Sequence, residues 1–260
     1  MPIIKLKSKI EEYKIRASQS DINEMSGRTK NPSLTKYILK NIAKEVKNIS
    51  GNIVDIGCGD CSLYKILKEN NHNISNYIGI VPTHEEYKRL SEEMTSFKQI
   101  VEIKKGFSDS LPISKNTADL VIINGVILIL KNKEEVLRTI KEIKRICKKG
   151  AVIFIGEVPF VDEMKNIKYS DSIFAWLIYV LHNNGLKMFI RKIINLIKCL
   201  LTKEIFMITT KKIIYFEVEE FIKILNENGF KVIKSFPHKE IDPNGNKLLS
   251  KTRYNYLAKI

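Results

Sequence analysis

Between Asn52 and Gly156, short runs of β-branched and aliphatic residues alternate with amphipathic stretches, and this alternation limits the fold more than any other feature of the chain. Asn52–Ile56, Tyr77–Ile80, Val101–Ile103, Ala118–Ile123 and Ala151–Ile155 are too short for helices and largely apolar, as strands covered on both faces must be. Between them, 62–68, 84–94 and 133–147 place apolar residues at helical spacing. Strands that alternate with helices pair in parallel, and right-handed crossovers carry the helices to both faces. The spacing therefore predicts a doubly wound α/β sheet.

The first strand runs into Gly57, Cys58 and Gly59 and then a helix. Glycines there allow a tight turn and let a ligand lie against the backbone, with the next helix's N–H groups close by. Upstream, residues 1–50 read as an N-terminal helical segment, broken around Asn23 to Pro32 and resuming with Leu34, Ile38, Ile42 and Val46 at helical spacing. Residues 51–160 form the core unit. Residues 161–212 interrupt the alternation as a two-helix insertion rich in Ile, Lys and aromatic residues. Residues 213–260 supply a helix closed by Gly229 and two final strands, 230–236 and 253–258, around a turn at Asp242 to Gly245.

The run Asp55, Ile56, Gly57, Cys58, Gly59 resembles the first motif of the class I S-adenosylmethionine (SAM)-dependent methyltransferases. The resemblance continues in the family's order through Gly106 to Asp109, Leu111 and Pro112, Ala118 to Val126, and the helix ending Lys148, Lys149, Gly150. It extends through the strand to Gly156 and Glu157, then Phe216 to Phe221 and Gly229 and Phe230. It implies a Rossmann-like seven-stranded sheet of order 3-2-1-4-5-7-6 with strand seven antiparallel, N-terminal helices, and a helical insertion after strand five. It also implies SAM at the carboxyl ends of strands one, two and four, where open sheets bind ligands. Asp55, Gly57, Cys58 and Gly59 would hold the methionine part, with Asn124, Gly125 and Val126 beside it. Phe107, Ser108 and Asp109 would meet the adenine, either Phe107 or Asp109 facing it.

Two departures stand out: Phe107 takes the place where the family usually carries an Asp for the adenine amino group, and Val81 occupies the end of strand two, where the family carries an acid for the ribose hydroxyls, with Glu85 or Glu86 the nearest replacement carboxylate. Among catalytic candidates, Glu157 follows strand five on the side where an acceptor should lie, as a base or an orienting group, and His182 in the insertion and His238 come next. Cys58 and Cys61 lack companions at metal-ligand spacing, so they are read as packing residues and no metal is expected. An Arg in the N-terminal segment, which holds Tyr13, Arg16 and Arg28, would meet the SAM carboxylate.

The 44 Lys and Arg exceed 29 Asp and Glu, a formal charge of +15, but only seven are Arg and the Lys are spread singly, as on a solvated surface. The charge favours an anionic or phosphate-bearing acceptor. No appended RNA-binding module or basic and aromatic platform is visible, which disfavours nucleic acid as partner. Four cysteines without a secreted pattern and no long apolar leader predict a cytoplasmic protein, and no apolar run is long enough to span a membrane. Residues 187–201 carry polar residues along one helical face, consistent with a cap over the acceptor, a dimer face or peripheral membrane contact. The expected activity is O-methylation of a small polar acceptor, carbohydrate or phosphate-bearing, such as a surface-polysaccharide precursor. The alternatives are an RNA methyltransferase and a catalytically silent methyltransferase-like partner subunit.

Overall fold

The computed structural model describes residues 3–5, 32–160, 173–202, 206–208, 214–241 and 245–260. Tyr13, Arg16, Arg28 and the turn residues Asp242 to Asn244 lie outside them. In chain order the elements are β1 (Ile3–Lys5), α1 (Pro32–Glu45), β2 (Gly51–Ile56), α2 (Ser62–Glu69), β3 (Ile74–Val81), α3 (His84–Glu93) and β4 (Val101–Lys105). There follow β5 (Ala118–Asn124), α4 (Lys133–Ile146), β6 (Cys147–Pro159), α5 (Ile173–Thr202), β7 (Phe206–Ile208), α6 (Val218–Glu227), β8 (Lys231–Ile241) and β9 (Lys247–Lys259).

The main sheet has the order β4-β3-β2-β5-β6-β9-β8, parallel except for β9, which runs antiparallel to both neighbours. This is the seven-stranded order that the resemblance implies. β1 and β7 form a separate two-stranded parallel pair.

Side-chain alternation along each strand sorts the core into two layers. Val54, Ile56, Val121 and Ile123 pack on one face with Val136 and Ile140 of α4 and Phe221 and Leu225 of α6. Ile53, Tyr77, Leu120 and Ile122 pack on the other with Leu39 and Ile42 of α1 and Leu63 and Leu67 of α2. Local chemistry fixes the helix starts. Thr83 and Glu86 close a capping box at the head of α3. Asn132 caps α4, whose first turn carries Glu134 and Glu135 and whose last turn carries Lys144 and Arg145, matching its dipole.

The excursion between β6 and α6 leaves and returns at one neck, where Phe160 pairs with Phe216 and the Phe216 N–H donates to the Pro159 carbonyl at 3.1 Å. Its helix α5 is two runs meeting at Gly185, whose φ of 77° and ψ of 169° no other residue adopts readily.

Candidate active site

The carboxyl ends of β2, β3 and β5 open into a cavity of about 310 Å³. Its floor is the turn after β2. Gly57 and Gly59 have φ of +76° and +61°, and a Cβ on Gly57 would sit 2.6 Å from Val126 Cγ2. The Gly57 and Cys58 N–H groups both donate to the Ile80 carbonyl, at 2.9 and 3.2 Å, which ties this turn to the end of β3. Val81 and Pro82 continue the wall, and Asn124, Gly125 and Val126 close it after β5. Across from them lies the apolar face of α1, with Leu34, Ile38 and Ile42.

Two buried carboxylates face this half. Asp55 accepts a hydrogen bond from the Tyr77 hydroxyl. Burial, and then the nearby Asp55 charge, push the Tyr77 phenol well above its ordinary range, so it remains a donor. Glu86 also lines the cavity, and its Oε2 is held by the Thr83 hydroxyl at 2.7 Å within the capping box. Val81 is buried beside it, so the end of β3 itself presents no carboxylate.

The other half is built where the strands are irregular. β6 bulges between Ile155 and Val158, and Glu157 in that bulge has a φ of +59°, left-handed backbone that a side chain rarely adopts. β8 shifts register between Pro237 and Lys239, which frees His238 from the ladder. Asn255 of β9 joins the two irregularities, because its buried Oδ1 accepts from the Glu157 N–H at 3.0 Å and faces His238 Nδ1 at 3.2 Å. A backbone N–H can only donate, so the Asn255 atom it meets is oxygen, and His238 Nδ1 must carry the hydrogen. Nε2 is then the nitrogen with the lone pair. Burial lowers the His238 pKa from the ordinary imidazole value, while Glu157's charge and the Asn255 bond pull the other way.

The Glu157 carboxylate is engaged at both oxygens. Asn124 Nδ2 donates to Oε1 at 2.9 Å, and Arg253 Nη1 donates to Oε2. That arrangement suits an orienting group better than a proton acceptor. Glu157, His238, Glu240 and Arg253 all line the same cavity as Asp55 and Gly57.

Of the residues singled out from sequence, the structure thus gathers Asp55, Gly57, Gly59, Asn124, Gly125, Val126, Glu157 and His238 around one cavity. Others fall elsewhere. Cys58 is buried with its sulfur 3.6 Å from that of Cys61, part of the core beneath the turn. Phe107 pairs with Ser110 across a tight turn, Ser108 is buried against the Thr139 hydroxyl at 3.0 Å, and Asp109 meets Arg138 at 3.5 Å. This turn is drawn toward α4, and its residues are not among those lining the cavity. His182 is exposed on α5 and is not among the residues lining the cavity. Arg253, Glu240 and Asn255 were not foreseen, and no sequence signal marks them, since bulges decide which way they face.

The wall fits SAM by its charge and its shape. Among the described residues it carries four carboxylates, Asp55, Glu86, Glu157 and Glu240, against the single guanidinium of Arg253, a field that favours a ligand with sulfonium and ammonium charges. The glycine turn leaves backbone where a side chain would fill the floor.

Comparison with known proteins agrees. Residues 54–155 match the family described as Methyltransferase domain. No curated protein matches the chain. Among solved structures, a SAM-dependent methyltransferase from Methanosarcina mazei is 19% identical, covering 84% of this chain and 96% of its own, with a TM-score of 0.53. One from Aquifex aeolicus is 14% identical over 93% of this chain and 100% of its own, at 0.54. A third, from Leishmania major, is 12% identical over 96% and 82%, at 0.61. Residues 54–155 thus match the Methyltransferase domain family, and the seven-stranded order of the whole sheet is the fold that these SAM-dependent methyltransferases share.

Proposed function

We propose that this enzyme O-methylates a small, uncharged, hydroxyl-bearing acceptor, with His238 as the proton acceptor. The observation that carries the reading is the fixed His238 ring, buried in the cavity wall with Nδ1 turned to Asn255. Asp55, Gly57, Gly59 and Asn124 to Val126 are the residues assigned to hold SAM, and Glu86 is assigned to the ribose side in place of Val81. When bound, SAM supplies a methyl group on a positively charged sulfur, and the remaining requirements fall on the chain. His238 Nε2 takes the proton that the acceptor oxygen loses as it gains the methyl carbon. Arg253, held by Glu157, donates to a second oxygen of the acceptor and fixes its approach.

The charge of the wall bears on the choice of acceptor. A net +15 chain favours anions in general, yet the cavity concentrates carboxylates, so a phosphate-bearing acceptor would be repelled where it reacts. A neutral sugar or similar polyol, including an uncharged polysaccharide precursor, fits the wall better. The test is methyl transfer from labelled SAM to matched pairs of acceptors with and without a phosphate, followed beside S-adenosylhomocysteine binding by calorimetry. Turnover of the neutral member of each pair supports the reading. Turnover only of phosphorylated members refutes it, and absence of S-adenosylhomocysteine binding would favour the silent partner subunit.

A further inference from the structure

We infer that α5 seats the enzyme on an anionic membrane surface, a role beyond the methyl transfer proposed above and independent of it. In the second run of α5, Leu186, Ile190, Ile194, Ile197 and Leu201 recur at steps of four, four, three and four residues, which is one face of a helix. All five are exposed, from 48% at Ile190 to 80% at Leu201. The first run adds Phe174, Ile178 and Leu181 at the same kind of spacing, exposed by 74%, 52% and 41%. A row of this length facing solvent on a folded domain marks a surface that something covers.

Charge identifies the occupant. Ile173–Thr202 contains Lys187, Arg191, Lys192 and Lys198 and no acidic residue. Lys187 and Arg191 are exposed and each stands one position beyond Leu186 and Ile190, so they flank the apolar stripe about 100° around the helix. An apolar stripe edged by cations is what an interfacial helix presents to anionic lipid headgroups. A second copy of the chain would set the same cations against one another, with no carboxylate on this helix to pair them. No described helix is long and apolar enough to cross a membrane. The segment that carries α5 leaves and returns to the sheet at Phe160 and Phe216, and Phe160 follows Glu157 by three residues in the sequence.

The test is flotation of the full chain with vesicles of phosphatidylcholine alone and of phosphatidylcholine mixed with phosphatidylglycerol. Binding to the mixed vesicles should exceed binding to neutral ones by roughly tenfold or more and fall with added salt. The double variants I190E/I194E and K187E/R191E should each abolish the excess while leaving the far-UV circular dichroism spectrum and melting temperature unchanged, which shows that the domain is folded. Equal binding to both vesicle types, or no binding to either, overturns the inference. So does a concentration-dependent dimer that I190E/I194E dissociates, because the stripe would then be covered by a second copy. Vesicle binding is read without any acceptor, so its failure leaves the methyl-transfer reading untouched, and the reverse also holds.

Discussion

The two halves of the cavity are made by opposite means. Around Asp55, Gly57 and Asn124 the strands β2 and β5 run in register to their ends, and the turns that follow them form the wall. Around Glu157, His238 and Arg253 the wall is made where registers slip, with a bulge in β6 and a shift in β8 held together by one buried amide, Asn255. Regular strands with glycine turns give a fixed cradle, as the proposed cofactor half would need. Bulges re-aim single side chains without rebuilding the sheet, which suits the half proposed to meet the acceptor. The comparison predicts that substitutions on the regular side act on cofactor affinity and those on the irregular side act on rate.

The largest effect should come from Gly57→Val. Its side chain would meet Val126 and require a left-handed backbone, so S-adenosylhomocysteine binding should fall below detection by calorimetry. Retained affinity with an intact circular dichroism spectrum would move the cofactor off this turn. On the irregular side, His238→Gln should lower single-turnover methyl transfer by roughly 10²-fold or more, the usual worth of general-base assistance, with cofactor affinity within about twofold of wild type. Equal losses in both quantities would erase the distinction between the halves.

His238 also makes a pH prediction. Its folded pKa lies below the unfolded value of about 6.5, so the unfolded chain binds more protons between the two. The stability it contributes is complete above about pH 6.5 and is lost as pH falls through the lower folded value. Melting curves between pH 7 and 5 should therefore be less steep in pH for His238→Gln than for wild type. A parallel slope would mean that the ring is not neutral and buried in solution.

Smaller effects sharpen the same contrast. Glu86→Gln keeps an oxygen for the capping box, so the melting temperature should hold while S-adenosylhomocysteine affinity drops about tenfold from the lost charge-assisted contact. An unchanged affinity would free Glu86 from any role with the ribose. Glu157→Gln should be milder, about threefold to tenfold in rate and under about 1 kcal/mol in stability, because Arg253 is partly exposed and the amide still accepts one bond. A fall of 10²-fold with normal folding would make Glu157 the base and His238 a bystander.

The sequence carried the sheet because period-two apolar runs and helical spacing report which faces are buried, and every strand of the core unit follows from that pattern. It also carried the tight turn after β2, since glycines after a buried strand permit the positive φ seen at Gly57 and Gly59. What it could not show at Phe107 to Asp109 is that Thr139 and Arg138 of α4 hold Ser108 and Asp109, contacts between residues about thirty apart. It ranked Glu157 above His238 because strand ends are visible in a sequence, whereas ion pairs such as Arg253 to Glu157, formed between residues 96 apart, are not. The extra residues in β6 and β8 flip the alternation that places a side chain in or out of a cavity, and only paired strands reveal such a slip.

The most direct test of this division is a crystal structure of the full chain with S-adenosylhomocysteine. The account predicts the ligand along Asp55, Gly57, Gly59 and Asn124 to Val126, with Glu86 beside the ribose and with His238 and Arg253 facing a remaining empty space beyond the sulfur. A ligand that instead reaches Phe107 to Asp109, or that fills the space before His238 and leaves the glycine turn bare, would contradict it.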